Sequence, residues 1–118
     1  MTSLRVGPTA EPPADMELDG RTTGGGVSVI VIDSDGAGEG PSLHRHPYPE
    51  TFVLVAGSVH FWVGDQDFVA HGPSVQVAPA LVPHRFKTVG GGRVRMVDVH
   101  ASPTFITEWL NDPHVDKA

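Results

Sequence analysis

The stretch GEGPSLHRHPYPETFVLVAG, residues 38–57, decides how this chain is read. It joins turn chemistry (Gly38, Gly40, Pro41) to the histidine pair His44 and His46, then to a bend at Pro47 and Pro49, then to the apolar run 50–56. On an extended backbone residues i and i+2 project to one face, so both imidazoles can aim at one point. Glu50 shares their parity, but the two prolines lie between, so strand geometry alone does not set its direction. The run 50–56 is rich in β-branched and aromatic residues and reads as a strand. Gly57-Ser58 then predicts a tight turn, with 59–63 returning as the other arm of a hairpin.

Outward from this stretch the texture repeats. VSVIVID, residues 27–33, is a β-branched run closed by Ser34, Asp35 and Gly36. Short strands are predicted near 68–70, 75–78, 84–89 and 94–100, each bounded by Gly or Pro. About seven short strands at turn-separated spacing define an all-β sandwich or barrel. One helix is expected, at the end: Ser102 as cap, Pro103 in the first turn, and Phe105, Ile106, Trp109 and Leu110 on one face. The proline- and glycine-bearing segment 1–25 has little apolar periodicity and is expected to be a flexible arm, or a strand that orders against a partner. The domain organisation is then an arm at 1–25, a β-barrel at 26–101, and a helix with tail at 102–118.

Composition narrows the function. With 118 residues the chain suits one core. Eight Lys+Arg against 14 Asp+Glu give a net charge of -6, and there is no basic run, which argues against nucleic acid and anionic membranes as partners. The absence of cysteine removes disulfides, thiolate metal sites and a Cys nucleophile. No apolar run approaches a membrane span. The N-terminal residues lack the apolar core of a secretory signal, so the cytoplasm is the expected compartment.

The unusual number is seven histidines. Scattered at random they would give roughly 0.4 pairs at i, i+2 by template counting, so the His44/His46 pair alone does not define a site. Glu50 and the later His84, which follows a loop bounded by Pro79 and Pro83, add a carboxylate and a third imidazole. Three imidazoles and a carboxylate suit one divalent first-row ion such as Fe, Mn, Ni or Zn. Four such donors leave a position open on a five- or six-coordinate ion, as a catalytic metal needs.

These residues resemble the cupin family. Its first motif, G(X)5HXH(X)3–4E(X)6G, is matched at Gly38, His44, His46, Glu50 and Gly57. Its second, G(X)5PXG(X)2H(X)3N, is matched at Pro79 and His84, with Gly72 one residue further upstream, Leu81 at the glycine position and Thr88 at the asparagine position. The resemblance implies a cupin jelly-roll β-barrel, a metal held by His44, His46, Glu50 and His84, and a homodimer. It also implies a small-molecule substrate or ligand. Family members with such sites include dioxygenases, isomerases and cyclases. A metal-dependent enzyme of the dioxygenase or isomerase/cyclase type is therefore expected, with a non-catalytic small-ligand-binding or sensing cupin as the alternative.

Other residues follow from alternation. Glu50 and His100 are the candidate catalytic groups. His100 shares a face with Val94, Met96 and Asp98, which looks inward and becomes polar towards one barrel mouth. Tyr48, Phe52, Phe61, Phe86 and Met96 are the candidate pocket lining, although an ordinary core would use the same residues. His60 and Trp62 should face outward, His71 should lie in an exposed turn, and His114 should be inert in the tail. Arg45 and Arg85 are expected on a solvated outer face.

Overall fold

The computed structural model describes residues 15–111. Ten strands and one helical turn follow in chain order: β1 (Asp15–Leu18), α1 (Gly20–Thr23), β2 (Ser28–Ser34), β3 (His44–Arg45), β4 (Glu50–Ala56), β5 (Ser58–Val63), β6 (Gln66–His71), β7 (Ser74–Ala78), β8 (His84–Val89), β9 (Val94–His100) and β10 (Glu108–Trp109). They form two five-stranded sheets, ordered β1-β2-β9-β4-β7 and β10-β3-β8-β5-β6. Every described pairing is antiparallel. This is the all-β, two-sheet architecture that the strand spacing predicted, in the jelly-roll form that the cupin resemblance implied.

The sheets face each other because each strand alternates. Phe52 and Leu54 on β4, Val94 and Met96 on β9, and Val59 and Phe61 on β5 all point inward and are buried. With Phe86, Ala70 and Ala78 they make one core. Phe52 meets Phe61 edge-on at 5.1 Å between ring centroids, closing the sheets together near the middle.

Two local expectations are corrected. The first is the hairpin at Gly57-Ser58: β4 pairs with β7 and β9, whereas β5 pairs with β6 and β8, so the chain turns a corner from one sheet to the other. Gly57 makes this possible, at φ 92° and with Arg93 O only 2.4 Å from where a Cβ would stand. The crossing lets Leu54 and Val59, both fully buried, cover each other's sheets.

The second is the C-terminal helix. Residues 102–107 contain no helical turn, and 108–109 form β10 against β3. Ser102 Oγ does accept from Thr104 N, as a cap would. The backbone groups beyond are taken by the barrel instead: Ile106 N–H donates to Tyr48 Oη and Leu110 N–H donates to Leu43 O. Those long-range partners outcompete the i→i+4 ladder. The expected arm is also divided. Residues 1–14 and His114 lie outside the described residues, while β1 pairs along β2 and leads into α1, capped by Asp19, whose Oδ1 accepts from Arg21 N.

Candidate metal centre

β3, the bend after it, β4 and β8 converge at one end of the barrel. His44 sits opposite His84 in the β3–β8 pairing, and Glu50 opposite His100 in the β4–β9 pairing. His44, His46, Glu50 and His84 are all buried, and one donor atom from each lies within 4.8 Å of the others. The proline-bound bend, which left the direction of Glu50 open, turns its carboxylate inward.

The ring orientations are fixed from behind. His44 Nδ1–H donates to Ser42 O at 2.7 Å, His46 Nδ1–H to Ile106 O at 2.8 Å, and His84 Nδ1–H to Val82 O at 2.9 Å. A carbonyl oxygen only accepts, so each Nδ1 carries the proton and each Nε2 is turned towards the cluster. Metal-ligating histidines are held in this way.

In front of them stands Glu50 Oε1, 2.9 Å from His46 Nε2, 3.0 Å from His84 Nε2 and 4.0 Å from His44 Nε2. Neutral imidazoles would present lone pairs to a carboxylate, acceptor against acceptor. The cluster is satisfied only by added protons or by a cation. Burial pushes the His44 pKa down to about 4, and its neighbours His84 and His46 add to this, so that ring is neutral at pH 7. Burial pushes Glu50 up, but the imidazoles of His100, His46 and His84 outweigh it and hold the carboxyl well below its ordinary range. Two donors at right angles around an ion with bonds of about 2.1 Å would stand about 3.0 Å apart. The donor set and its spacing fit a divalent first-row ion.

Behind Glu50 lies a second layer. His100 Nε2 is 3.3 Å from Glu50 Oε2, and the Tyr48 hydroxyl is 2.8 Å from His100 Nδ1. Tyr48 Oη accepts from Ile106 N, so its own O–H is free to donate to His100 Nδ1, which leaves the proton on Nε2, near Glu50 but without hydrogen-bond geometry to it. Asp98 is almost wholly buried, and its Oδ1 has no conventional donor. Burial first, then the charge and hydrogen bonding of Glu50, push the Asp98 pKa well up. The protonated form of Asp98 is thus favoured beside Glu50.

A cavity of about 280 Å³ opens onto this centre. Ile30, Ile32, Pro41, Phe105 and Trp109 form its apolar wall, and His44, His46, Glu50, Asp98 and His100 its polar floor. Of the five predicted pocket residues only Phe86 lines it. Phe52, Phe61 and Met96 belong to the closed core, and Tyr48 stacks behind His46 at 5.0 Å and supports His100. The apolar wall residues were missed because Ile30 faces Asp98 only through the β2–β9 pairing, which parity within one strand cannot reveal.

The outer residues fall mostly as expected. His60 and Trp62 stack at 3.7 Å on the outside of β5, and His71 is exposed, its Nδ1 2.7 Å from Ser58 Oγ. Arg45 pairs with Glu108 at 2.7 Å. Arg85 departs from the expected solvated face: its guanidinium covers the Trp62 ring at 4.4 Å and the residue is buried.

The departures from the second motif have structural answers. Leu81, at the glycine position, is the one non-glycine with positive φ among the described residues, at 66°. Thr88, at the asparagine position, accepts from Gly38 N and Glu39 N through Oγ1 and so ties down the loop before His44.

A two-sheet barrel with three histidines and a glutamate gathered at one mouth defines a class of metal-binding β-barrels. The chain belongs to the cupin domain family, whose profile matches residues 30–100, from within β2 to the end of β9. No curated protein matches it. Among solved structures, Bacillus subtilis oxalate decarboxylase, described for its Mn(II) centres, is similar with a TM-score of 0.71 at 14% identity, over 86% of this chain and 29% of that one. Recombinant oxalate oxidase in complex with glycolate gives 0.68 at 22% identity, over 92% and 62%. An uncharacterized conserved protein with a double-stranded β-helix domain from Klebsiella pneumoniae gives 0.69 at 17% identity, over 91% of each chain. The chain thus spans under a third of the decarboxylase and under two thirds of the oxidase. These likenesses show the fold. None of the described helices is long and apolar enough to cross a membrane.

Proposed function

We propose that this cupin is a metal-dependent enzyme acting on a small, mainly apolar organic molecule through an oxygen atom of that molecule. One observation carries the reading: three imidazoles and a carboxylate cluster together, and His44, His46 and Glu50 of that cluster line an open, apolar-walled cavity. A purely structural metal would be closed over. His44, His46, Glu50 and His84 would hold a divalent ion, with Fe, Mn, Ni and Zn all compatible with the donors. When bound, the ion supplies Lewis-acid polarisation of a substrate oxygen and, if redox-active, access to dioxygen chemistry.

The chain's own residues then have separate tasks. Tyr48 holds His100 in the tautomer that supports Glu50, and Asp98 stores a proton against Glu50 at the edge of the cavity. Phe86, Ile30 and Ile32 exclude water from that proton. Among the described residues lining the cavity none is Lys or Arg, while Glu17, Glu50 and Asp98 are carboxyls. A small dianion such as oxalate would find only the metal to receive it, so an uncharged or singly charged molecule is favoured. The three-histidine, one-carboxylate set suits Fe(II), which places a dioxygenase-type reaction first and a metal-assisted isomerase or cyclase second.

The test is turnover of simple β-diketones by protein purified without a histidine tag and reloaded with each ion, with oxygen uptake recorded in parallel. Turnover with uptake is expected for the Fe(II) form, and loss of turnover without unfolding for His44→Ala. Metal binding without turnover of any diketone or quinone-like substrate would overturn the enzyme reading in favour of a ligand-binding cupin.

The reading includes a homodimer. The outer face of the first sheet carries two cross-strand rows, Met16-Val31-Val97-Val53-Val75 and Leu18-Val29-Val99-Thr51-Val77. Val75 and Val77 remain more than half exposed, and a continuous apolar face of this kind suits sheet-on-sheet packing with a second copy.

A further inference from the structure

The cavity above the metal centre continues past its own wall. A second hollow of about 230 Å³ adjoins it along Ile30, Ile32, Pro41 and Phe86, with Glu17 common to both, and runs on past Gly40 and Thr88 to Glu39. The pairing gives the scale. Glu17 faces Ile30 across β1–β2, and Ile30 faces Asp98 across β2–β9. At about 4.8 Å per strand, Glu17 therefore stands roughly 10 Å from Asp98 along this wall. The trough is polar at the metal floor, apolar along its length, and bordered at the far rim by the carboxyls of Glu17 and Glu39, with no Lys or Arg among the described residues lining either hollow.

We propose that the ligand of this centre is elongated: an oxygen-bearing head at the metal floor, a hydrocarbon body of about six to eight atoms along Ile30, Ile32 and Phe86, and a far end that is not an anion. The inference rests on the metal reading above, because the metal places the head. Its new content is the body and the tail. Each methylene buried on the apolar wall is worth about fourfold in affinity. A terminal carboxylate would meet Glu17 and Glu39 at the rim, a repulsion that selects by charge.

The experiment uses the full chain loaded with Co(II), whose visible spectrum reports a ligand entering the metal's coordination. The probes are acetohydroxamate, octanohydroxamate and the eight-carbon hydroxamate that ends in a carboxylate. Octanohydroxamate is expected to bind at least tenfold tighter than acetohydroxamate, and the carboxylate-ended probe at least threefold weaker than octanohydroxamate. Glu17→Gln, on an exposed edge strand, should narrow that last gap. Equal affinity for the short and long probes on cobalt-loaded protein overturns the inference while leaving the metal reading intact. A chain that takes up no cobalt overturns both.

Discussion

Ending the chain after Pro103 should separate metal affinity from stability. The segment removed would otherwise cross the cavity mouth and contact the centre at several points. Ile106 O takes the proton of His46 Nδ1 at 2.8 Å, Ile106 N bonds Tyr48 Oη at 3.1 Å, and Leu110 N bonds Leu43 O at 2.9 Å. Glu108 pairs with Arg45 on the surface, which contributes about 0–1 kcal/mol. These hydrogen bonds, at about 1 kcal/mol each, are opposed by the conformational entropy lost when the segment is ordered. Apolar burial adds a modest amount: Phe105 and Leu110 are half-buried, while Ile106 and Trp109 are about half or more exposed. The net change in unfolding free energy of the metal-free protein should stay within about 2 kcal/mol. Metal affinity has no such offset. His46 loses the acceptor that sets its tautomer, and losing an outer partner of a ligand costs about 10–100-fold. Urea unfolding of chelated protein and competitive metal titration measure the two quantities. A truncated chain that binds metal as tightly as the full one would refute the argument that Ile106 orients His46.

Three further outcomes follow from the same geometry. For pH, the folded His44 is depressed from 6.5 to about 4, so its contribution is present above pH 6.5 and lost as pH falls towards 4; urea titration of metal-free protein should show a loss of about 3 kcal/mol across that window. Metal affinity should fall in the same direction, because protons compete for the imidazoles. Leu81→Gly relieves a left-handed residue costing about 1–2 kcal/mol and adds about 0.5–1 kcal/mol of unfolded-chain entropy, so thermal denaturation should show a small gain in stability. Val75→Asp with Val77→Asp should leave the fold intact and give a monomer by sedimentation, and an unchanged oligomeric state would remove the valine face as the interface.

Much of the centre was legible because it rests on short-range pattern. His44 and His46 are held together by strand parity, and Asp98 and His100 were singled out as an inward face turning polar, where the β4–β9 pairing sets His100 opposite Glu50. The cavity wall was not legible. Ile30 and Glu17 reach the cavity because β2 lies between β1 and β9, a neighbour relation that no local period carries. The C-terminal segment was misread for a related reason. Its apolar residues fit a helical face, yet its backbone groups bond to Tyr48 and Leu43, more than fifty residues away.

The three carbonyls behind the clustered histidines divide in the same way, and the division bears on how the cluster is completed. Ser42 O and Val82 O each lie two residues before the histidine they hold, so His44 and His84 acquire their tautomers as soon as their own proline-bound loops form. His46 depends on Ile106, sixty residues on. It also stands between the two layers, 2.9 Å from Glu50 and stacked on Tyr48, whose hydroxyl meets the same Ile106 and His100. One residue, Ile106, therefore holds His46 through its carbonyl and, through its N–H, the Tyr48 hydroxyl that meets His100. The segment leading into β10, although it adds little to the barrel's core, therefore sets the tautomer of His46, the one imidazole of the cluster that its own loop does not orient.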